Sequence, residues 1–224
     1  MVISLNESET RTATERRYPE DEVKARFVQE ECYGWLLTRA GDFTSSQFGE
    51  DGIIAAIFEK IGIANEWCLE VGAADGLFYS NTLQWRNKEW KAILIECDDN
   101  HFEKLKLLAS EKTTVIKAKI EATGPNSLDE LVPAIARDMD LMIIDIDGQD
   151  WYIFKSLNLC KPRVLMVEFG TTGPLDFVPE LNGPGQAGPQ AIINLGFEKW
   201  YTPVAVTNVN LIFVRNDLVG ALKQ

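Results

Sequence analysis

The feature that most restricts this chain is an alternation, between residues 66 and 169, of short strand-like runs with stretches of helical period. The runs are EWCLEV (66–71), KAILIE (91–96), TTVIKAK (113–119), DLMIIDI (140–146) and RVLMVEF (163–169). Between them lie the helical patterns SNTLQWRNK (80–88), NHFEKLKLLASEK (100–112), SLDELVPAIARD (127–138) and QDWYIFKSL (149–157). Strands of continuous apolar character need cover on both faces, and strands joined by helices run parallel. Ser127 and Glu130 have the capping-box spacing, which marks a helix start. An α/β fold around a mostly parallel sheet is therefore expected.

The rhythm breaks after Glu168. Residues 170–190, GTTGPLDFVPELNGPGQAGPQ, concentrate glycine and proline and read as a long loop, a candidate lid. FEKWYTP (197–203) and NVNLIFVRN (208–216) then sit close enough to pair as an antiparallel hairpin, bringing the sheet to seven strands. Helical patterns also run from Glu20 to Ala40 and over 51–62, before the first strand. Residues 1–18 are polar and read as a flexible lead-in, leaving 19–224 as one domain. The chain's 224 residues suffice for one sizeable core and fall short of two.

Several partner classes are disfavoured at this level. No apolar run approaches the roughly 20 residues that span a bilayer, and the first residues lack the pattern of a secretory signal, so a cytoplasmic protein without a membrane partner is expected. The net charge of -12, with 34 acidic against 22 basic residues, repels a phosphate backbone, so nucleic acid is not an expected partner. Cys32, Cys68, Cys97 and Cys160 show no CxxC spacing and read as small buried thiols. The single histidine, His101, falls in a helical pattern and reads as structural or exposed.

Chemistry concentrates where strands end. In CLEVGAADG the acidic Glu70 closes an apolar strand, and Gly72, Ala73, Ala74, Asp75 and Gly76 form a turn without bulk, where ligands of open α/β sheets bind. Gly72 is expected where the backbone touches the ligand. A nicotinamide-type GxGxxG would need glycine at 74 and 77, and the chain has Ala74 and Leu77. The next strand ends in Glu96, placed to accept hydrogen bonds from both hydroxyls of a ribose; its loss should weaken binding and leave stability nearly unchanged. Cys97 and Asp98 would border the nucleoside, with Ile120 and Glu121 flanking the base. In SSQFGEDG, residues 45–52, Gln47, Glu50 and Asp51 would close over the ligand or cap the following helix.

The segment DLMIIDIDGQDW crowds Asp145, Asp147 and Asp150 at a strand end, with Glu168 ending the next strand. Asp145 and Asp147 lie two apart and would point the same way in a continued strand. Crowded carboxylates repel unless a cation, a hydrogen bond or a raised pKa relieves them. Two chemistries follow: Asp147 and Glu168 hold a divalent metal, or Asp145 or Asp147 acts as general base toward a hydroxyl.

Taken in order, SQFGEDG, CLEVGAADG, YSNTLQW, EWKAILIE, LMIIDIDGQDW and VLMVEFG resemble the FkbM-type methyltransferases over residues 45–170. That resemblance implies a Rossmann-like class I methyltransferase sheet, S-adenosylmethionine as cofactor, and transfer of a methyl group to a hydroxyl of a sugar or other small-molecule acceptor. It also implies Glu70, Gly72, Gly76 and Asn81 at the cofactor, Glu96 at its ribose and Asp145 near its methionine end. Many relatives carry KxDxEG in the fourth strand, where this chain has Ile143 and Asp147. The alternatives are a metal-assisted O-methyltransferase and a methyltransferase-like binding domain without turnover.

Overall fold

The computed structural model describes residues 33–42 and 45–223. The lead-in over 1–18, Cys32 and most of the helix expected from Glu20 lie outside the described residues. Within them that expected helix is a single turn, α1 (Gly34–Leu37), followed by a 3₁₀ turn over Thr38–Gly41. After α2 (Glu50–Ile61) come β1 (Trp67–Val71), α3 (Leu83–Arg86), β2 (Lys91–Glu96), α4 (Asp99–Leu105) and β3 (Thr113–Lys117). The chain continues through α5 (Leu128–Leu131), β4 (Leu141–Ile144), α6 (Asp150–Ser156), β5 (Val164–Glu168), α7 (Pro189–Glu198), β6 (Tyr201–Val206) and β7 (Asn210–Arg215).

Seven strands form one sheet in the order β3-β2-β1-β4-β5-β7-β6, parallel from β3 to β5 and antiparallel at β7 and β6. The expected mostly parallel sheet with a C-terminal antiparallel hairpin is thus present. Strand residues alternate between two cores because successive side chains point to opposite faces. Leu69, Val71, Met142, Ile144, Leu165 and Val167 pack on one face with Phe154 and Phe213. Cys68, Leu94, Ile143 and Met166 pack on the other with Ile53, Ile57 and Trp85.

The register sets Val71 beside Ile95 on one side and beside Ile144 on the other. The turns leaving β1, β2 and β4 therefore open at one edge. From β1 the chain winds outward through β2 and β3, then returns to β4 on β1's other side, which makes the β1/β4 junction a switch point. The opposite edge is closed by Asp140 and Arg163, a buried pair 2.5 Å apart; Asp140 also accepts from the backbone N–H groups of Ala64, Asn65 and Glu66.

Several boundaries depart from expectation. Pro133 lacks an N–H and forces Val132 into an extended conformation, so α5 stops after one turn. The Ser127–Glu130 capping box does not form, since the Ser127 side chain makes no cap hydrogen bond. Asp129 instead accepts from the backbone amides of Asn158, Leu159 and Cys160. Residues 197 and 198, expected in a strand, end α7, which starts at Pro189 where a missing N–H is harmless. Cys68 and Cys160 are buried as expected, while Cys97 is exposed at the end of β2. Among the described residues no helix is long and apolar enough to cross a membrane.

Candidate functional site

A cavity of about 870 Å³ opens at the C-terminal ends of β1, β2, β4 and β5. That is the upper end of the ~300–1,000 Å³ range of small-molecule sites. Its walls include Gln47, Glu70, Gly72, Ala73, Asp75, Asn81, Glu96, Cys97, Asp98, Ile120, Glu121, Asp145, Asp147 and Glu168, all singled out from sequence. Gly76 does not line it.

The two glycines of the β1 turn serve packing. Gly72 has φ +75°, and a Cβ there would stand 1.7 Å from the Asp145 carbonyl oxygen. The ends of β1 and β4 nearly touch there, which by itself requires glycine at a position that also lines the cavity. Gly76, at φ +72°, lies against Leu105 and Leu108. Asp75 turns its Oδ1 to the amides of Leu77 and Phe78, which hold its carboxyl below the usual range. No helix follows this turn directly, because α3 begins only at Leu83.

Glu70 is spent on the loop that comes next. Its Oε1 accepts from the Asn81 amide at 2.8 Å, and its Oε2 from the hydroxyls of Ser80 at 2.7 Å and Thr82 at 2.6 Å. Arg86 donates to the Gly76 carbonyl and to Ser80 Oγ from below. The Ser-Asn-Thr triplet is thus what a carboxylate at the end of β1 needs in order to fix the loop, and Glu70 also stands on the cavity wall. Asn81 is 5% exposed, and its Oδ1 has no partner.

Glu96 is a staple between two turns. Oε2 accepts from Ala74 N at 2.8 Å, and Oε1 from Cys97 N and Asp98 N, both at 2.7 Å. A carboxylate has about four lone-pair sites, so these three bonds leave about one free on Glu96. Asp98 caps α4 by accepting from Asn100 N and His101 N, and its carboxyl is lowered by them. His101 is exposed at the rim of the cavity. Ile120 is buried and Glu121 exposed on the wall beyond β3. Lys119 joins them there, a cation that no sequence pattern had marked.

The acidic cluster converges, but not by a continued strand. β4 ends at Ile144, and Asp147 takes φ +56° in a left-handed turn. Asp150 is 1% exposed and accepts from Ile146 N and Gly148 N, so it builds this turn instead of facing the cavity. The turn brings carboxylate oxygens of Asp145, Asp147 and Glu168 within 4.8 Å of one another. Burial, with the Asp150 charge added, raises the Asp145 carboxyl; burial and then Asp145 raise Glu168 further, and the two are hydrogen-bonded. Of the pair, Glu168 is therefore the more readily protonated. Burial likewise lifts Asp150 to about 6.

The glycine-proline loop covers this half of the cavity, with Leu181, Asn182 and Gly183–Gly185 on its walls. Gln149 accepts from Asn182 N at 2.8 Å and donates to the Gly183 carbonyl at 3.2 Å, Tyr152 donates to the Pro179 carbonyl at 3.1 Å, and Gln186 donates to Glu168. Gln149 and Tyr152, one turn apart at the start of α6, were not recognised from sequence. Of the 45–52 segment only Gln47 reaches the cavity. Asp51 accepts from Ser45 and Ser46, whereas Glu50 accepts from Phe48 N, Thr207 Oγ1 and Asn210 Nδ2. Both are buried and neither lines the cavity.

No protein-family model matches the sequence, and no curated protein matches it. Among solved structures, the S-adenosylhomocysteine-bound methyltransferase PaMTH1 of Podospora anserina aligns at 15% identity and a TM-score of 0.46, over 87% of this chain and 94% of that one. A SAM-dependent methyltransferase from Aquifex aeolicus aligns at 9% identity and a TM-score of 0.43, over 71% and 87% of the respective chains. A fibrillarin/Nop5p complex contributes a chain at 17% identity and a TM-score of 0.45, over 71% and 79%.

Proposed function

We propose that this protein is an S-adenosylmethionine-dependent O-methyltransferase of the FkbM type, acting on a hydroxyl of a small molecule. The observation that carries the reading is the make-up of the cavity at the β1/β4 switch point. Carboxylates line it from Glu96 to the Asp145–Glu168 pair, and Lys119 is the one ammonium among its described walls. Such walls suit a sulfonium cation. A dinucleotide would need a helix N-terminus for its pyrophosphate, and none begins between residues 72 and 82.

S-adenosylmethionine, held along Glu96 and Asp145, would supply an electrophilic methyl group for the acceptor oxygen, with S-adenosylhomocysteine as the leaving group. Glu96 fixes the ribose side through its one remaining lone-pair site. Asp145, ionised while Glu168 donates to it, accepts the proton that the hydroxyl loses. The loop held by Gln149, Tyr152 and Gln186 shields the reacting groups from water. A second reading is favoured by the close approach of Asp145, Asp147 and Glu168. Three hard oxygen donors fit magnesium or manganese, which would hold and polarise the acceptor oxygen there.

Calorimetric titration with S-adenosylhomocysteine, followed by transfer of labelled methyl to a panel of hydroxylated acceptors, tests the proposal. The wild type should bind, and Asp145→Asn should retain binding while transfer falls about 10²–10⁴-fold. A folded wild type that does not bind S-adenosylhomocysteine overturns the reading. Binding without transfer to any acceptor favours a domain that binds without turnover.

A further inference from the structure

We infer that the acceptor is an uncharged molecule whose reacting hydroxyl is carried on an apolar or aromatic body, and that Phe78, Tyr79 and Leu181 hold that body; this rests on the methyltransferase reading. Large exposed hydrophobic side chains are usually scattered, and a group of them at one cavity marks a binding surface. Phe78 is 68% exposed, Tyr79 47% and Leu181 54%, and all three line the same cavity. They approach from different elements, the loop after β1 and the loop after β5.

Phe78 and Tyr79 are held out deliberately. Their ring centroids lie 3.8 Å apart, and Tyr79 has φ +58°, a conformation that a bulky residue adopts only when its surroundings impose it. Those surroundings are visible on both sides. Asp75 clamps the amides of Leu77 and Phe78, while Ser80 and Asn81 are fastened to Glu70. The loop has no slack in which to fold its rings inward, so they form a fixed platform at the mouth.

Deeper in, the chemistry is that of hydrogen-bond acceptors. Asn81 Oδ1 is buried without a partner, and Asp145 and Glu168 stand on the same walls. These groups suit a molecule that brings hydroxyl donors, and the Asp145 and Asp147 carboxylates on these walls disfavour phosphate or carboxylate. Lys119 lies past β3, on the Glu96 side, and offers no cation to an anionic acceptor at the β4–β5 side. A bare polyol would satisfy the floor yet leave the platform wet; an aryl or alkyl body satisfies both.

Saturation-transfer NMR on the protein with S-adenosylhomocysteine tests this, using 4-nitrophenyl β-glucoside, methyl β-glucoside and 4-nitrophenyl phosphate as probes. The aryl glucoside should give the strongest signal on its ring protons, at least fivefold above the other two. The paired variant Phe78→Ser, Tyr79→Asn should lose that signal and bind S-adenosylhomocysteine within twofold of wild type. No signal from the aryl glucoside, an equal signal from either control, or a ring signal that survives in the variant overturns the inference. So does a wild-type dimer that the variant converts to monomer, which would make the platform a subunit contact. Failure to bind S-adenosylhomocysteine overturns the methyltransferase reading and with it the role of acceptor, while the probes run without it report separately whether the platform holds an aryl body.

Discussion

Replacing Glu96 by alanine should cost the fold as well as the cofactor. The carboxylate is 7% exposed and accepts three backbone hydrogen bonds, from Ala74, Cys97 and Asp98. A hydrogen bond to a charged group contributes about 1.5–3 kcal/mol net, and three that share one carboxylate do not add fully, so a loss of about 3–5 kcal/mol is expected. Against a typical domain stability of about 5–15 kcal/mol this is a large share. Loss of the one ribose hydrogen bond should weaken S-adenosylhomocysteine binding by a further ~1.5–3 kcal/mol, or about tenfold to 150-fold. Guanidinium unfolding and calorimetric titration on the same preparations separate the two effects. An unfolding free energy within about 1 kcal/mol of wild type would refute the stapling argument. Unchanged affinity would remove Glu96 from the site.

Gly72→Ala forces a Cβ to within 1.7 Å of the Asp145 carbonyl oxygen, so β1 and β4 must part. A cost of about 3 kcal/mol should lower the melting temperature by roughly 6–12 °C, and a near-native melting curve would contradict this. Glu168 has a folded pKa above its unfolded value, so its contribution to stability is present at low pH and is lost as pH rises above about 4.5 toward the raised value. Glu168→Gln should therefore gain on wild type between pH 5 and pH 8 in chemical unfolding, by at most ~1.4 kcal/mol per pH unit; a flat or shrinking gap rejects the assignment. If the three carboxylates hold a cation, chelator silences transfer and excess magnesium partly rescues Asp147→Asn. If Asp145 works alone, chelator has no effect and the rate falls with pH as the raised carboxyl takes up its proton.

The sheet was readable because apolar runs such as those of β2, β4 and β5 demand cover on both faces, and all five parallel strands fell on the expected segments, with β3 at the sheet edge keeping Thr114 and Lys117 exposed. Helix lengths were less so. NHFEKLKLLASEK and SLDELVPAIARD have helical period, but Pro133 and the bond from Asp129 to the 158–160 backbone shorten the second, which no periodicity records. At the site, sequence reasoning pointed to strand ends that line the cavity and did not register the internal hydrogen bonds and packing that several of those residues also serve. Gly72, Glu50, Asp51 and Asp150 have the residue types of a ligand site, and they also serve packing or internal hydrogen bonds, local for Asp51 and Asp150 and far off in sequence for Gly72 and Glu50. Thr207 is 157 residues from Glu50. The platform of Phe78 and Tyr79 escaped notice because apolar residues in a turn look like core until their exposure is seen.

The sheet order also sets a schedule for synthesis. β5 pairs with β4 on one side, and its other neighbour is β7, which leaves the ribosome later, after β6. For the time it takes to add residues 169–209, a few seconds at about 5–20 residues per second, the Val-Leu-Met-Val edge of β5 has no second partner. An unpaired apolar edge is a template for other chains. A stop codon anywhere before residue 210 would make that exposure permanent, so C-terminal truncations should be recovered as aggregates, even though the cavity walls are complete by Gly185.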